Sequence, residues 1–366
     1  MSTAGRRRRL ENVIDGRGVV RLGIVGVGDV AQRDYLPEIH RLAHVAEVVA
    51  VAGARKKRVQ ETAERMGIPA WTVGYESLLA MPEVDAVLNL TPFGLHATVN
   101  EAAMAAGKHV YSEKPLASTA GEARKLRRLA TEHGVVLVAA PSVLLFPQVR
   151  RVSAIVSSGR LGRAVSARGS AYGGVPPWEG YASDPTPFFS EEVGPLVDMA
   201  VYPLHAITGL LGPVAWVSAA SCRSRAGFEV VDGPVAGTWV PVSSDDEWHL
   251  LLGLASGLLA TVQAGFATVA GSGPELEILG DRGGVACTLL DVAAPVSVSD
   301  GGDWSEEIVP HERDTGPDHI LGVRHLVECI LGESDPILSP GHAVHVLDVL
   351  EGARRSAEEG RRVDLS

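Results

Sequence analysis

Val19-Val20-Arg21-Leu22-Gly23-Ile24-Val25-Gly26-Val27-Gly28-Asp29-Val30-Ala31 is the stretch that decides the fold. Its first seven residues form a short, nearly continuous apolar run, as a parallel strand buried on both faces requires. The run ends in G-x-G-x-x-A, and a helical segment follows. Gly26 permits a tight turn, Gly28 lets backbone N–H groups approach a pyrophosphate, and the small Ala31 lets helix pack closely on strand. Placed between strand and helix, the motif predicts a dinucleotide site built from Gly26, Gly28, Asp29, Val30 and Ala31.

The residue closing the second strand, at 48–52, reports on the adenine ribose. An acidic side chain there binds the 2'-hydroxyl and implies NAD. Here Gly53 is followed by Ala54-Arg55-Lys56-Lys57-Arg58. Lacking the carboxylate and rich in cations, the loop suits a 2'-phosphate, so NADP is expected ahead of NAD, with Arg55 among its ligands. The competing reading makes Arg55 to Arg58 the solvated start of the next helix.

Outward from here strands and helices alternate. Helices are expected near 59–66, 75–80, up to 106 and over 120–133, and strands at 86–90, 108–111 and 135–139. That is a doubly wound parallel sheet, whose ligands lie beyond the carboxyl ends of its strands. Thr91-Pro92 and Glu113-Lys114-Pro115 fall on the same edge as residues 26–31 and can share one site. Lys114 comes just before a proline after the apolar run His109-Val110-Tyr111, a placement that aims its ammonium into a pocket; the alternative is a solvated Lys-Pro turn.

Bulk properties narrow the classes. At 366 residues two domains are expected, and 46% hydrophobic with 21% charged residues describes a globular chain with ample core. A net charge of -11 argues against a nucleic-acid partner. Three dispersed cysteines, Cys222, Cys287 and Cys329, suggest neither a disulfide framework nor a zinc site, and a reducing compartment. Arg6 to Arg9 are followed by no apolar region, and no run of roughly 18 apolar residues could span a membrane. A cytoplasmic protein is expected, with residues 1–19 a flexible basic arm, a dinucleotide domain over 20–140 and a second domain over 141–366.

With these motifs in order, the chain resembles the glucose-fructose oxidoreductase, inositol dehydrogenase and rhizopine-catabolism (Gfo/Idh/MocA) family. The resemblance rests on Gly26 to Ala31, Thr91-Pro92 with His96, Glu113-Lys114-Pro115, and Gly194-Pro195-Leu196-Val197-Asp198-Met199-Ala200-Val201-Tyr202. It implies a nicotinamide-binding Rossmann domain and a C-terminal α+β domain with an open, mostly antiparallel sheet. It also implies that Lys114 touches the reacting hydroxyl, that the bond to Pro115 is often cis, and that Glu113 and Pro115 border the cofactor. The last motif supplies Asp198 and, four residues on along the same helix face, usually a histidine acting as acid or base. Tyr202 stands there instead. An unperturbed tyrosine, with a pKa of about 10, needs neighbouring positive charge to act as a base, and Lys114 could supply it. His205 is a second candidate, set against its reading as an ordinary core residue.

Past Pro141 the alternation stops. A helix at 148–157 and a strand at 164–171 lead into a turn-rich segment, 173–181, whose Trp178 and Tyr181 either stack on a sugar-like ring or pin the loop. Strand patterns at 216–222, 248–254, 258–266, 276–279, 285–289 and 296–299 read as a meander, and helices at 318–331 and 340–359 close the chain. The family resemblance implies that the sheet's open face packs on another subunit, giving a homo-oligomer, a dimer or tetramer. His342, His345 and Asp348 have ligand-like spacing but an amphipathic helical setting, so no metal is expected. The expected function is NAD(P)-dependent interconversion of a secondary alcohol and a ketone on a cyclic polyol, sugar or nucleotide-sugar, where Arg168 or Arg223 would offer local positive charge. The alternatives are a tightly bound nicotinamide recycled within one turnover and a non-catalytic ligand sensor.

Overall fold

The computed structural model describes residues 18–268, 271 and 273–365; most of the expected basic arm lies outside them. The chain divides into two compact units. One runs through Ala140 and includes His319–Val344, and the other comprises Pro141–Asp318 and His345–Ser366.

The first unit is built on six strands: β1 (Val20–Val25), β2 (Ala46–Gly53), β3 (Ala70–Val73), β4 (Ala86–Asn89), β5 (His109–Ser112) and β6 (Leu137–Ala139). They pair in the order β3-β2-β1-β4-β5-β6, every neighbour parallel. The order reverses at β1, so the carboxyl ends of β1 and β4 flank the switch point where such sheets bind ligands. Every residue of β4 is buried, whereas β3 is a half-exposed edge strand with no long apolar run to announce it in the sequence. Three longer helices join the strands: α1 (Lys56–Met66), α2 (His96–Ala105) and α3 (Ala120–His133). At the start of α3, Thr119 Oγ1 accepts from the Glu122 backbone N–H at 3.2 Å while the Glu122 carboxylate accepts from the Thr119 N–H at 3.3 Å, a reciprocal capping box.

After the glycine loop the expected helical segment is short and widened. Leu36 N donates to the carbonyl of Ala31, five residues back, at 2.9 Å, so Ala31–Tyr35 is a π-type turn.

The helix Ile320–Leu331 packs on β5 and β6, burying Val323, Leu326, Val327 and Ile330, and Ala139 N donates to Leu338 O at 3.1 Å. Residues 319–344 thus leave the expected 141–366 domain for the first unit. A parallel sheet must be covered on both faces, and this returning segment supplies part of the cover.

The second unit carries a nine-stranded sheet. Its members are β7 (Ala164–Tyr172), β8 (Val214–Cys222), β11 (Glu247–Leu254), β12 (Leu259–Gly265), β13 (Leu276–Gly280), β14 (Gly284–Cys287), β15 (Val296–Ser299), β16 (Ser305–Glu307) and β17 (Val363–Asp364); β9 (Gly227–Glu229) and β10 (Trp239–Pro241) form a separate ribbon. The order is β16-β15-β14-β13-β7-β12-β11-β8-β17. It is not the simple meander that strand succession suggests, because β7 inserts at the centre, parallel to β12 and antiparallel to β13. Along β11, Leu250 and Leu252 are buried and Leu251 is 40% exposed, the alternation of a sheet with one covered face.

Asp198 and Tyr202 do not share one helix. Asp198 ends Gly194–Asp198, and Tyr202 is the second residue of Val201–Leu211. The break follows from Pro203: lacking an N–H, proline is accommodated in a first turn but not in a helix interior, so a new helix begins just before it.

Candidate active site

The candidate residues fall into two sets, one in each unit. In the first unit the glycine loop has the conformation the motif requires. Gly26 has φ +98°, and a Cβ there would lie 2.5 Å from the carbonyl oxygen of Leu90, so only glycine fits between β1 and β4. A Cβ at Gly28 would meet nothing within 4 Å, which leaves that backbone open to an approaching phosphate. Val30 is half-buried and Ala31 fully buried. Asp29 is buried, and its carboxylate accepts from the Arg58 guanidinium at 2.9 Å.

That ion pair commits Arg58, and Lys57 lies 3.8 Å from Glu61 on the helix surface. Arg55 stands exposed at the N-terminal boundary of α1. Gly53 has its own reason to be glycine: a Cβ there would come within 2.8 Å of Val59 Cγ2 and 3.2 Å of Val27 Cγ2. Packing of α1 and the glycine loop on β2 therefore excludes the side chain that would otherwise meet a ribose hydroxyl.

Beside this loop a buried polar ladder ties the ends of β4, α2 and β5 together. Asn89 Nδ2 donates to His96 O at 3.1 Å and to Asn100 Oδ1 at 2.8 Å, and its Oδ1 accepts from Thr91 Oγ1 at 2.6 Å. Asn100 Nδ2 donates in turn to Ser112 Oγ at 2.8 Å. His96, 1% exposed, is held between two carbonyls, with Nδ1 2.7 Å from Pro115 O and Nε2 2.8 Å from Thr91 O. It thereby clamps the Thr91-Pro92 turn to the Glu113-Lys114-Pro115 turn. Burial pushes its pKa below the ordinary imidazole value, against the pull of the two carbonyls and of Glu113.

The Lys114–Pro115 bond is cis, as the family resemblance implies. Glu113 is buried; its carboxylate accepts from Lys114 N at 2.8 Å and from the hydroxyl of Tyr35, which lies 3.0 Å from the hydroxyl of Tyr111. Lys114 itself is half-buried.

In the second unit Asp198 is 8% exposed, Tyr202 half-buried and His205 4% exposed. The turn preceding Gly194–Asp198 is fixed from the C-terminal helix, where Arg354 Nη2 donates to Glu192 O at 2.6 Å. Trp178 donates from Nε1 to Gly173 O at 2.8 Å and sets its ring edge-on to Phe188, 5.0 Å between centroids; Tyr181 packs on the same Phe188 at 5.4 Å. Both aromatics are therefore engaged in holding their own loop. His345 Nε2 accepts from Val214 N at 2.9 Å, and no cluster of three or more His, Cys, Asp or Glu suited to a metal occurs among the described residues.

Two family models match. Residues 20–140 match the oxidoreductase family with NAD-binding Rossmann fold, and residues 149–286 match the GFO/IDH/MocA C-terminal domain. The chain belongs to the Gfo/Idh/MocA family. Among relatives of this family, it is 35% identical over 207 residues to dTDP-3,4-didehydro-2,6-dideoxy-alpha-D-glucose 3-reductase of Streptomyces violaceoruber, covering 56% of this chain and 58% of that protein. The matched stretch is thus less than two thirds of the relative's length. By fold it resembles the aldose-aldose oxidoreductase of Caulobacter crescentus (TM-score 0.79, 22% identity, 95% of this chain and 100% of that one). It likewise resembles a 3-ketoreductase from Actinomadura kijaniata in complex with NADP and TDP-benzene (TM-score 0.75, 24% identity, 92% and 98%).

Within this Gfo/Idh/MocA framework, motif reading does not single out Tyr35, Asn89, Asn100 or Arg354. Tyr35 carries no motif; it reaches Glu113 only through the widened turn. Asn89 ends an apolar strand at the sheet's ligand edge, and that position is the one signal that could have drawn attention to it.

Proposed function

We propose that this protein interconverts a secondary alcohol and a ketone on a sugar, with NADP favoured over NAD and nucleotide-linked sugars the first substrate class to test. The observation that carries the reading is the pairing, at one end of the first unit's sheet, of an open glycine loop with a lysine whose backbone is held by a buried carboxylate. A phosphate-binding loop alone would serve many ligands; a fixed lysine beside it serves a reaction at an oxygen.

The loop Gly26 to Ala31 would hold the pyrophosphate, with Arg55 reading the 2'-phosphate and Thr91, Pro92 and His96 shaping the edge of the cofactor site. The bound nicotinamide supplies or accepts a hydride. The chain's own work is orientation and proton handling. Lys114 would donate a hydrogen bond to the reacting oxygen, Tyr202 would give or take that oxygen's proton, and Asp198 would bind a neighbouring hydroxyl. A phenol suits this role only beside a cation, which Lys114 provides in this reading. The nucleotide-sugar preference draws on the similarity to the dTDP-sugar reductase.

The test is steady-state turnover of Lys114→Met and Tyr202→Phe across nucleotide-linked keto sugars, free sugars and cyclic polyols. At least about a hundredfold loss is expected for Lys114→Met. Undiminished rates in both variants would overturn the reading. Fluorescence titration with NADPH and NADH is expected to give tighter NADPH binding, weakened in Arg55→Ala. The partly exposed Val165, Leu251, Leu259 and Leu279 on the second unit's sheet support self-association through that face. Light scattering is expected to return a multiple of the chain mass.

A further inference from the structure

Tyr35, Tyr111 and Glu113 form a chain of hydroxyls ending on a carboxylate, with both tyrosines at 0% exposure and Glu113 at 8%. A carboxylate only accepts, so the Tyr35 hydrogen is spent on Glu113 and Tyr111 must donate to Tyr35. The direction is therefore fixed: Tyr111 to Tyr35 to Glu113. Burial, and next the charge of Glu113, raise the Tyr35 pKa well above that of a free phenol, which keeps its proton in place for this bond. The other carboxylate oxygen accepts from Lys114 N at 2.8 Å, so the same group that Tyr35 holds fixes the lysine's backbone.

Tyr35 closes the widened turn that follows the glycine loop. One extra residue in a helical turn redirects every side chain after it by about a quarter turn or more. The widening is what aims Tyr35 into the core, toward the end of β5. The glycine loop and the Lys114 backbone are thereby linked by a buried strut of two side chains, Tyr35 and Glu113, with Tyr111 bracing Tyr35.

We propose that Tyr35 is a positioning residue for Lys114: acting through Glu113, it sets the direction in which the lysine leaves β5 and keeps it in register with the phosphate-binding turn. The inference rests on the reading of Lys114 as the group at the reacting oxygen. It assigns to a residue outside every motif the task of orienting that lysine.

Tyr35→Phe removes one oxygen and leaves the ring packing intact. In this variant the Lys114 amide should exchange hydrogen for deuterium at least about fivefold faster, because the carboxylate is free to turn, while the β5 amides of Val110 and Tyr111 stay unchanged. Turnover at saturating substrate should fall roughly tenfold to a hundredfold, with the substrate KM and NADPH affinity within about twofold of wild type. Tyr111→Phe keeps the Tyr35-to-Glu113 bond and should fall less on both measures. Combining Tyr35→Phe with Glu113→Gln should lose little beyond the worse single variant, since both act through one group. Unchanged Lys114 exchange in Tyr35→Phe, or fully additive losses in the double variant, would overturn the proposal. The exchange readout needs no substrate, so a wild-type protein that reduces no sugar would refute the functional reading while leaving the strut tested on its own.

Discussion

Gly53 carries two demands at one position. Cofactor preference in dinucleotide folds is commonly altered by placing a carboxylate at the end of the second strand, yet here Val59 and Val27 occupy the space a side chain would need. Gly53→Asp is accordingly expected to lower stability by about 1–3 kcal/mol, the ordinary penalty of overpacking, without producing NADH preference. Thermal denaturation beside an NADH titration checks both parts. Two histidines contribute to acid sensitivity. His96 and His345 both have pKa values lowered by burial, and His345 accepts a hydrogen bond on Nε2 that protonation would abolish. At these two sites the unfolded chain then binds protons more readily than the folded one, so their contribution to stability is complete above the ordinary imidazole value of about 6.5 and declines as pH falls below it. Urea midpoints measured from pH 7.5 to 5 should show this decline, and His345→Gln should flatten it.

At the level of elements, α3 shows how directly a local signal can translate into structure. Thr119 and Glu122 cap its start, Gly134 ends it in a left-handed turn, and the helix occupies Ala120–His133, the bounds expected of it. Thr119→Ala should cost about 1 kcal/mol in chemical denaturation, and Thr119→Ser much less. The glycine loop, the parallel order of the first sheet and the edge that bears Lys114 were legible for the same reason: runs of apolar residues and glycines act locally. What was not legible depends on distant partners or on short, half-exposed stretches. β3 and β17 are too brief and β16 too polar to stand out, and β7 takes its central place from pairing with β12, whose match lies some ninety residues further along the chain. The break between Asp198 and Tyr202 had a visible cause in Pro203. The approach of Tyr35 to Glu113 had none, because nothing in the residues Ala31–Tyr35 declares that the turn will widen.

At the level of the whole molecule, the return of His319–Val344 to the first unit determines what can fold alone. A fragment comprising residues 18–140 would leave bare the surface of β5 and β6 that Val323, Leu326, Val327 and Ile330 cover. It is expected to bind a hydrophobic dye and to lack a cooperative melting transition, whereas the same fragment joined to residues 319–344 by a flexible linker should regain both cooperativity and NADPH binding. Calorimetry of the two fragments decides the matter.

The same return constrains how such a protein is made and how it can be remodelled. During synthesis the first unit waits, incomplete, until the segment ending at Val344 has left the ribosome, since its last helix follows the whole of Pro141–Asp318. In inheritance, the two units are interleaved, so exchanging the second for that of a relative takes three coordinated crossovers, after Ala140, Asp318 and Val344, where a tandem arrangement would need one. A hybrid cut only at Ala140 would bring in a foreign helix to close its cofactor unit, and the fit of that helix on β5 and β6, more than any catalytic residue, would decide whether the hybrid survives.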